Sequence, residues 1–166
     1  MPSDAERIAD VLAIHDVKSR YFRYLDTKEW AAWRDLFTDD LVFYMEDSAV
    51  PNTTEPITVG GDAFVEYVSD LLKTSVTVHH GHMPQIEFTG EREARVVWAM
   101  FDFVDDPEGD MGAFKGYGHY HERYVKSDDD RWRIAELRLT RLRVDSMTPS
   151  RPAGDRPFPS PWKAAR

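Results

Sequence analysis

Four polar side chains fall in segments that otherwise read as core. Tyr21 and Asp26 lie on an early helical stretch. His79 opens the run His79-His80-Gly81-His82-Met83-Pro84, and Asp102 sits inside an apolar strand. A polar group in a core position costs several kcal/mol unless it is paired. A small chain that accepts that cost repeatedly is expected to gather such groups in one pocket. An imidazole among carboxylates in a pocket is equipment for proton transfer.

Each residue has its own structural alternative. Tyr21 and Asp26 are five apart, about 140° of rotation on a continuous helix. They converge only if the helix ends near Leu25 and Asp26 turns back. Asp26 could instead cap the next helix, with Thr27 competing for that place. Tyr21 could be a core aromatic with its hydroxyl at the rim. On a strand, His79 faces one way with Thr77, while His80 and His82 face the other. The pairs His80/His82 and His119/His121 have the spacing to share a metal, but neither has a third ligand at a set interval, and no metal is expected. Asp102 follows Ala94, Val96, Trp98 and Met100 on one strand face, with Val104 beyond it. There it stands at the mouth of a cavity or is simply buried, unless the strand is already ending at Asp105-Asp106-Pro107. Arg141 is in phase with Ala135, Leu137 and Leu139, placed to neutralise Asp102 or to reach solvent. Tyr117 and Tyr120 lie on opposite strand faces, so at most one lines a pocket. The expected pocket residues are Phe43, Phe64, Trp98, Met100 and Tyr120.

The elements that must position these groups follow from period and punctuation. Ser3-Asp4-Ala5-Glu6 is a capping box. Ile8, Val11, Leu12, Ile14 or His15, Lys18, Phe22 and Leu25 then recur with helical period, giving one helix from about Asp4 to Leu25. A short helix is expected over Lys28 to Phe37, a strand over Leu41 to Met45, and a polar loop over Ser48 to Pro56. A short strand over Ile57 to Val59 leads through Gly60-Gly61-Asp62, a turn and N-cap, into a third helix. From Val76 the period changes to 2. Strands are expected over Val76–His82, Gln85–Thr89, Arg95–Val104, Phe114–Lys126 and Trp132–Val144. Helices first and strands later predict an α+β fold, helices packed on one face of an antiparallel sheet.

Composition narrows the classes. The chain has 166 residues and no cysteine, so it has no disulfide and no thiolate chemistry. Its mean hydropathy of -0.56 and the lack of a long apolar run argue against a membrane span. The net charge of -9 repels nucleic acid and anionic lipid. The arginines between Arg131 and Arg143 fall on both strand phases and form no single basic stripe. The first residues have neither the basic nor the apolar region of a secretory signal, so a cytoplasmic location is expected. The domain is expected over residues 1–147. Residues 148–166 form a Pro-rich tail, disordered or laid over the domain as a lid.

The element order, with Tyr21-Phe22-Arg23-Tyr24-Leu25-Asp26-Thr27-Lys28-Glu29-Trp30 and His79-His80-Gly81-His82-Met83-Pro84-Gln85-Ile86, resembles the SnoaL-like branch of the NTF2-like superfamily. Within it the chain is most similar to the bile acid 7α-dehydratase and scytalone dehydratase group. The resemblance implies a cone: a curved mixed or antiparallel β-sheet with three helices enclosing an apolar pocket. It places Tyr21, Asp26, His79, Asp102 and Arg141 at the family's active-site positions. It implies a homo-oligomer, dimer or trimer, and no cofactor. Leu25 stands where scytalone dehydratase has a second Tyr, and the second catalytic His has no counterpart, so scytalone itself is not the expected substrate. The expected function is a cofactor-independent lyase (a dehydratase) or a related isomerase. Its substrate would be a small hydrophobic hydroxy-carbonyl compound, steroid-, aromatic- or polyketide-like. The alternatives are a non-catalytic binding protein, the β subunit of an aromatic-ring-hydroxylating dioxygenase, or an epoxide hydrolase built on Asp102 and Arg141.

Overall fold

The computed structural model describes residues 2–46, 55–107, 109 and 111–148. Most of the expected polar loop, and the tail from 149 onward, lie outside the described residues. The first helix, α1 (Asp4–Thr27), opens on the expected capping box. The Ser3 side chain accepts from the Glu6 amide, and the Glu6 carboxylate accepts from the Ser3 amide. Then come α2 (Trp30–Arg34), β1 (Phe37–Glu46), β2 (Thr58–Val59), α3 (Gly61–Leu71), β3 (Val76–Phe88), β4 (Glu93–Asp106), β5 (Gly112–Lys126) and β6 (Trp132–Met147). The strands form one sheet in the order β2-β1-β6-β5-β4-β3. All neighbours are antiparallel except β1 and β6, which are parallel.

Three expectations change. The two strands expected over 76–89 are one, β3, carried through a bulge between His82 and Gln85 where Met83 takes φ 37°. The second helix is shorter, because β1 already begins at Phe37. Neither Asp26 nor Asp62 caps the following helix. Glu29 and Gly60 hold those places without a side-chain cap bond, and Asp62 pairs with Arg34 at 2.5 Å.

The buried face of α1 also differs from its apolar period. Ile8 and Leu12 are 62% and 64% exposed, whereas Asp10, Ile14, Val17, Lys18, Tyr21, Tyr24 and Leu25 are buried. The reason is that polar groups on this face have partners. Trp132 Nε1 donates to Asp10 Oδ1 at 2.8 Å, and Lys126 Nζ does so at 3.0 Å. Lys18 meets Glu122 on β5 at 2.5 Å. Between α1, α2, α3 and the sheet lies an aromatic core in which Trp33 touches Tyr21, Phe37 and Phe64 at centroid distances of 5.3, 4.9 and 5.0 Å.

Candidate active site

The period-2 pattern of β3 turns Thr77 and His79 to the inner face, against the last turn of α1. The helix does not end at Leu25. It runs through Asp26, and the sheet wraps it. Tyr21 faces Trp33, Phe37 and Tyr120, while Asp26, on another side of the same helix, faces β3. Two positions about 140° apart can therefore both serve one site.

Asp26 is closely held. His79 Nδ1 lies 2.7 Å from its Oδ1, the Thr77 hydroxyl donates to the same oxygen at 2.9 Å, and the His79 amide donates to Oδ2 at 2.9 Å. A carboxylate against Nδ1 fixes the ring proton there and leaves Nε2 as the basic nitrogen. Asp102 is paired with His79 across the β3–β4 ladder. It is 1% exposed and meets Arg141 Nη2 at 2.5 Å. Its Oδ1 and the Arg141 Nε are both buried without a hydrogen-bond partner. Gly116, opposite Asp102 on β5, makes room for this pair. A Cβ there would sit 2.1 Å from Asp102 Oδ1 and 2.8 Å from Arg141 Nε. Gly116→Ala is accordingly expected to cost about 1–3 kcal/mol through overpacking. Urea unfolding measures the loss.

These groups border a cavity of about 270 Å³. Its walls are otherwise apolar, with Leu25, Phe43, Met45, Phe64, Val68 and Phe114 among them. Tyr21, His79, Asp102, Tyr120 and Arg141 all line it. Tyr21, His79, Asp102 and Arg141 meet at the cavity, and Asp26 reaches it through His79. Phe43, Phe64 and Tyr120 are lining residues, while Tyr117 stacks on the other face against Phe101 at 5.4 Å. Trp98 and Met100, expected in the lining, are not part of it. Both are buried on the inner face, but α1 covers that part of the sheet. The Phe22 ring lies on Gly81, the residue paired with Met100, and His15 packs edge-on against Trp98 at 5.2 Å.

Burial first, then the Glu122, Asp26 and Asp102 carboxylates, pushes the Tyr21 phenol well above its ordinary range. Burial likewise raises Tyr120. Both rings therefore stay protonated at neutral pH and can donate a hydrogen bond. Behind them lies a group absent from the expected site. Lys18 Nζ sits 3.9 Å from the Tyr21 ring centre and 3.7 Å from that of Tyr120, and Glu122 also accepts from the Tyr124 hydroxyl at 2.7 Å. The one sequence signal was a lysine falling in the apolar period of α1.

The outer-face pairs His80/His82 and His119/His121 have ring centres 5.8 and 5.9 Å apart, away from the cavity. Among the described residues no group of three or more His, Cys, Asp or Glu is arranged to hold a metal. The arginines of β6 and its approach are spread among carboxylates: Arg131 and Arg133 on Asp129, Arg138 on Glu46, Arg141 on Asp102 and Arg143 on Asp145. No helix among the described residues is long and apolar enough to cross a membrane.

Comparison with known proteins agrees with this architecture. The chain superposes on a crystal structure from Novosphingobium aromaticivorans DSM 12444, provisionally named scytalone dehydratase, with TM-score 0.75 and 21% identity, covering 91% of this chain and 95% of that one. It superposes on the hexachlorocyclohexane dehydrochlorinase LinA-type3 of Novosphingobium barchaimii LL02 with TM-score 0.73 and 16% identity, covering 87% and 94%. In sequence it is 24% identical over 135 residues to FGR4 of Gibberella zeae, provisionally named a cyclase, covering 75% of this chain and 86% of that protein. The SnoaL-like domain model matches residues 6–138. With four-fifths of its length matched and the cone in place, the chain belongs to the SnoaL-like family of the NTF2-like superfamily.

Proposed function

We propose that this protein is a lyase that removes water from a small hydrophobic β-hydroxy-carbonyl compound. The observation that carries the reading is the 2.7 Å contact of His79 Nδ1 with Asp26 on the wall of an apolar cavity. Nε2 takes the proton from the carbon next to the carbonyl, and Asp26 stabilises the imidazolium that results. Tyr21, with Tyr120 beside it, donates to the oxygen on which the enolate charge grows. The leaving hydroxyl departs beside Asp102 and Arg141, the charged pair on the cavity wall.

Asp102 is ion-paired and so acts as an acceptor. The proton for the departing hydroxide then comes back from the His79 imidazolium. The C–H and C–O bonds break, a C=C bond and one water form, and His79 ends neutral as it began. One group serving both steps requires the hydrogen and the hydroxyl to leave from the same face. Without a leaving group at that carbon, returning the proton one position along would make the same site an isomerase.

Size narrows the substrate. A cavity of about 150 Å³ holds benzene, and this one is about 270 Å³. One or two rings fit within it. The test is incubation with one- and two-ring β-hydroxy ketones in deuterated water. The expected results are enone absorbance, or loss of α-hydrogen from recovered substrate. Ligands that quench tyrosine and tryptophan emission on binding, yet show neither enone nor exchange, would mark a binding protein.

A further inference from the structure

We infer that Lys28 and Thr77 are positioning residues that fix the protonation pattern of the Asp26–His79 pair. Lys28 ends α1 in the left-handed conformation, φ 61° and ψ 35°, where glycine is the usual occupant because it has no Cβ to strain. A lysine there loses backbone stability, and its side chain has a defined destination. Its Nζ donates to the Thr77 hydroxyl at 3.1 Å. Thr77 is buried and lies two residues before His79 on the same face of β3.

The argument rests on donor and acceptor inventory. An ammonium can only donate, so the Thr77 oxygen must accept from it. The single hydroxyl proton is then committed to Asp26 Oδ1 at 2.9 Å. That oxygen already faces His79 Nδ1 at 2.7 Å, and Oδ2 is occupied by the His79 amide at 2.9 Å. Both carboxylate oxygens are thereby pinned in one rotamer as acceptors. The ring must place its proton on Nδ1, which leaves Nε2 free toward the cavity. Without Lys28 the hydroxyl is free to rotate, and its hold on Oδ1 loosens. Without the hydroxyl the carboxylate can turn away from the ring. Asp102, across the ladder, and Arg141 paired with it are also charged groups on this part of the sheet. They lie on the cavity side and do not touch Asp26 Oδ1. Neither Lys28 nor Thr77 lines the cavity, so their effect passes through the dyad and not through substrate contact.

The test reads the ring itself, so it stands whether or not the dehydratase reading holds. Nitrogen-15 correlation spectra report which imidazole nitrogen carries the proton. They are recorded above the ordinary imidazole range, with the His79 signals assigned by their loss in His79→Gln. Wild type and Thr77→Ser are expected to show the Nδ1–H form with a downfield, slowly exchanging proton. Lys28→Gly and Thr77→Val are expected to show mixed tautomers and loss of that downfield proton. Lys28→Gly should unfold at the same temperature or higher, since glycine suits the left-handed position. Where turnover is measurable, kcat is expected to fall about tenfold, the lower end for loss of an orienting partner, with KM unchanged. A Lys28→Gly protein with the wild-type tautomer and an undisturbed downfield proton overturns the inference, and this variant decides even if Thr77→Val fails to fold.

Discussion

His79→Gln is expected to lower kcat by about 10²–10⁴-fold, the usual contribution of a positioned general base. The side chain is nearly buried, and glutamine keeps an amide that can still donate to Asp26, so the fold should survive. What disappears is Nε2, the only basic atom that the dyad presents to the cavity. Asp26→Asn separates a second contribution. Its amide can face Nδ1 as a donor, which reverses the tautomer and moves the proton to Nε2. The two variants should therefore show similar losses in kcat, and the double variant little more than either alone, because the residues act as a unit. Steady-state enone formation at saturating substrate measures this. Full turnover in His79→Gln would remove the imidazole as the base and, with it, the proposed chemistry.

Lys18→Met is expected to destabilise the protein by about 3–5 kcal/mol, the range for breaking a buried ion pair from one side. Lys18 and Glu122 are 1% and 0% exposed at their side chains and 2.5 Å apart, so the lysine's loss leaves a buried carboxylate supported, among the described residues, by the Tyr124 hydroxyl. The double variant Lys18→Met/Glu122→Leu should recover most of that loss or exceed wild type, since an apolar pair of similar volume avoids the desolvation of both charges. A pH signature accompanies it. Burial lowers the Lys18 ammonium from 10.5 to about 8, with Glu122 opposing the shift. Between those values the unfolded chain holds a proton that the folded chain has released. This group's contribution to stability therefore rises with pH across the window, is complete above 10.5, and is lost as pH falls through about 8. Urea unfolding of wild type and double variant at about pH 7 and about pH 9.5 checks the sign. Wild type should gain on the double variant at the higher pH.

The pair also bears on the cavity. Its ammonium lies between the faces of Tyr21 and Tyr120, both lining residues, so the rings proposed to donate to the enolate rest on a buried charge. Lys18→Met/Glu122→Leu should then bind ligand in a cavity whose tyrosines are less constrained, with the deficit appearing in kcat more than in KM.

Local order along the chain was enough to place much of this molecule. A capping box followed by apolar residues at helical spacing specifies α1, because both signals act between residues a few positions apart. Period-2 alternation specifies β3 to β6 and sets His79 and Asp102 on the inner face, since side chains on a strand must alternate. An imidazole and two carboxylates in core phase pointed to a shared pocket on the cost of burial alone. Tertiary structure decided the rest. Lys18 and Glu122 are 104 residues apart, and nothing near either one announces a buried partner. The parallel pairing of β1 with β6, the Phe22 ring lying on Gly81, and the space left by Gly116 for Asp102 and Arg141 are likewise contacts between distant segments. Periodicity records which face a residue takes. What meets it on that face depends on how the sheet curves around α1, and that belongs to no single stretch of sequence.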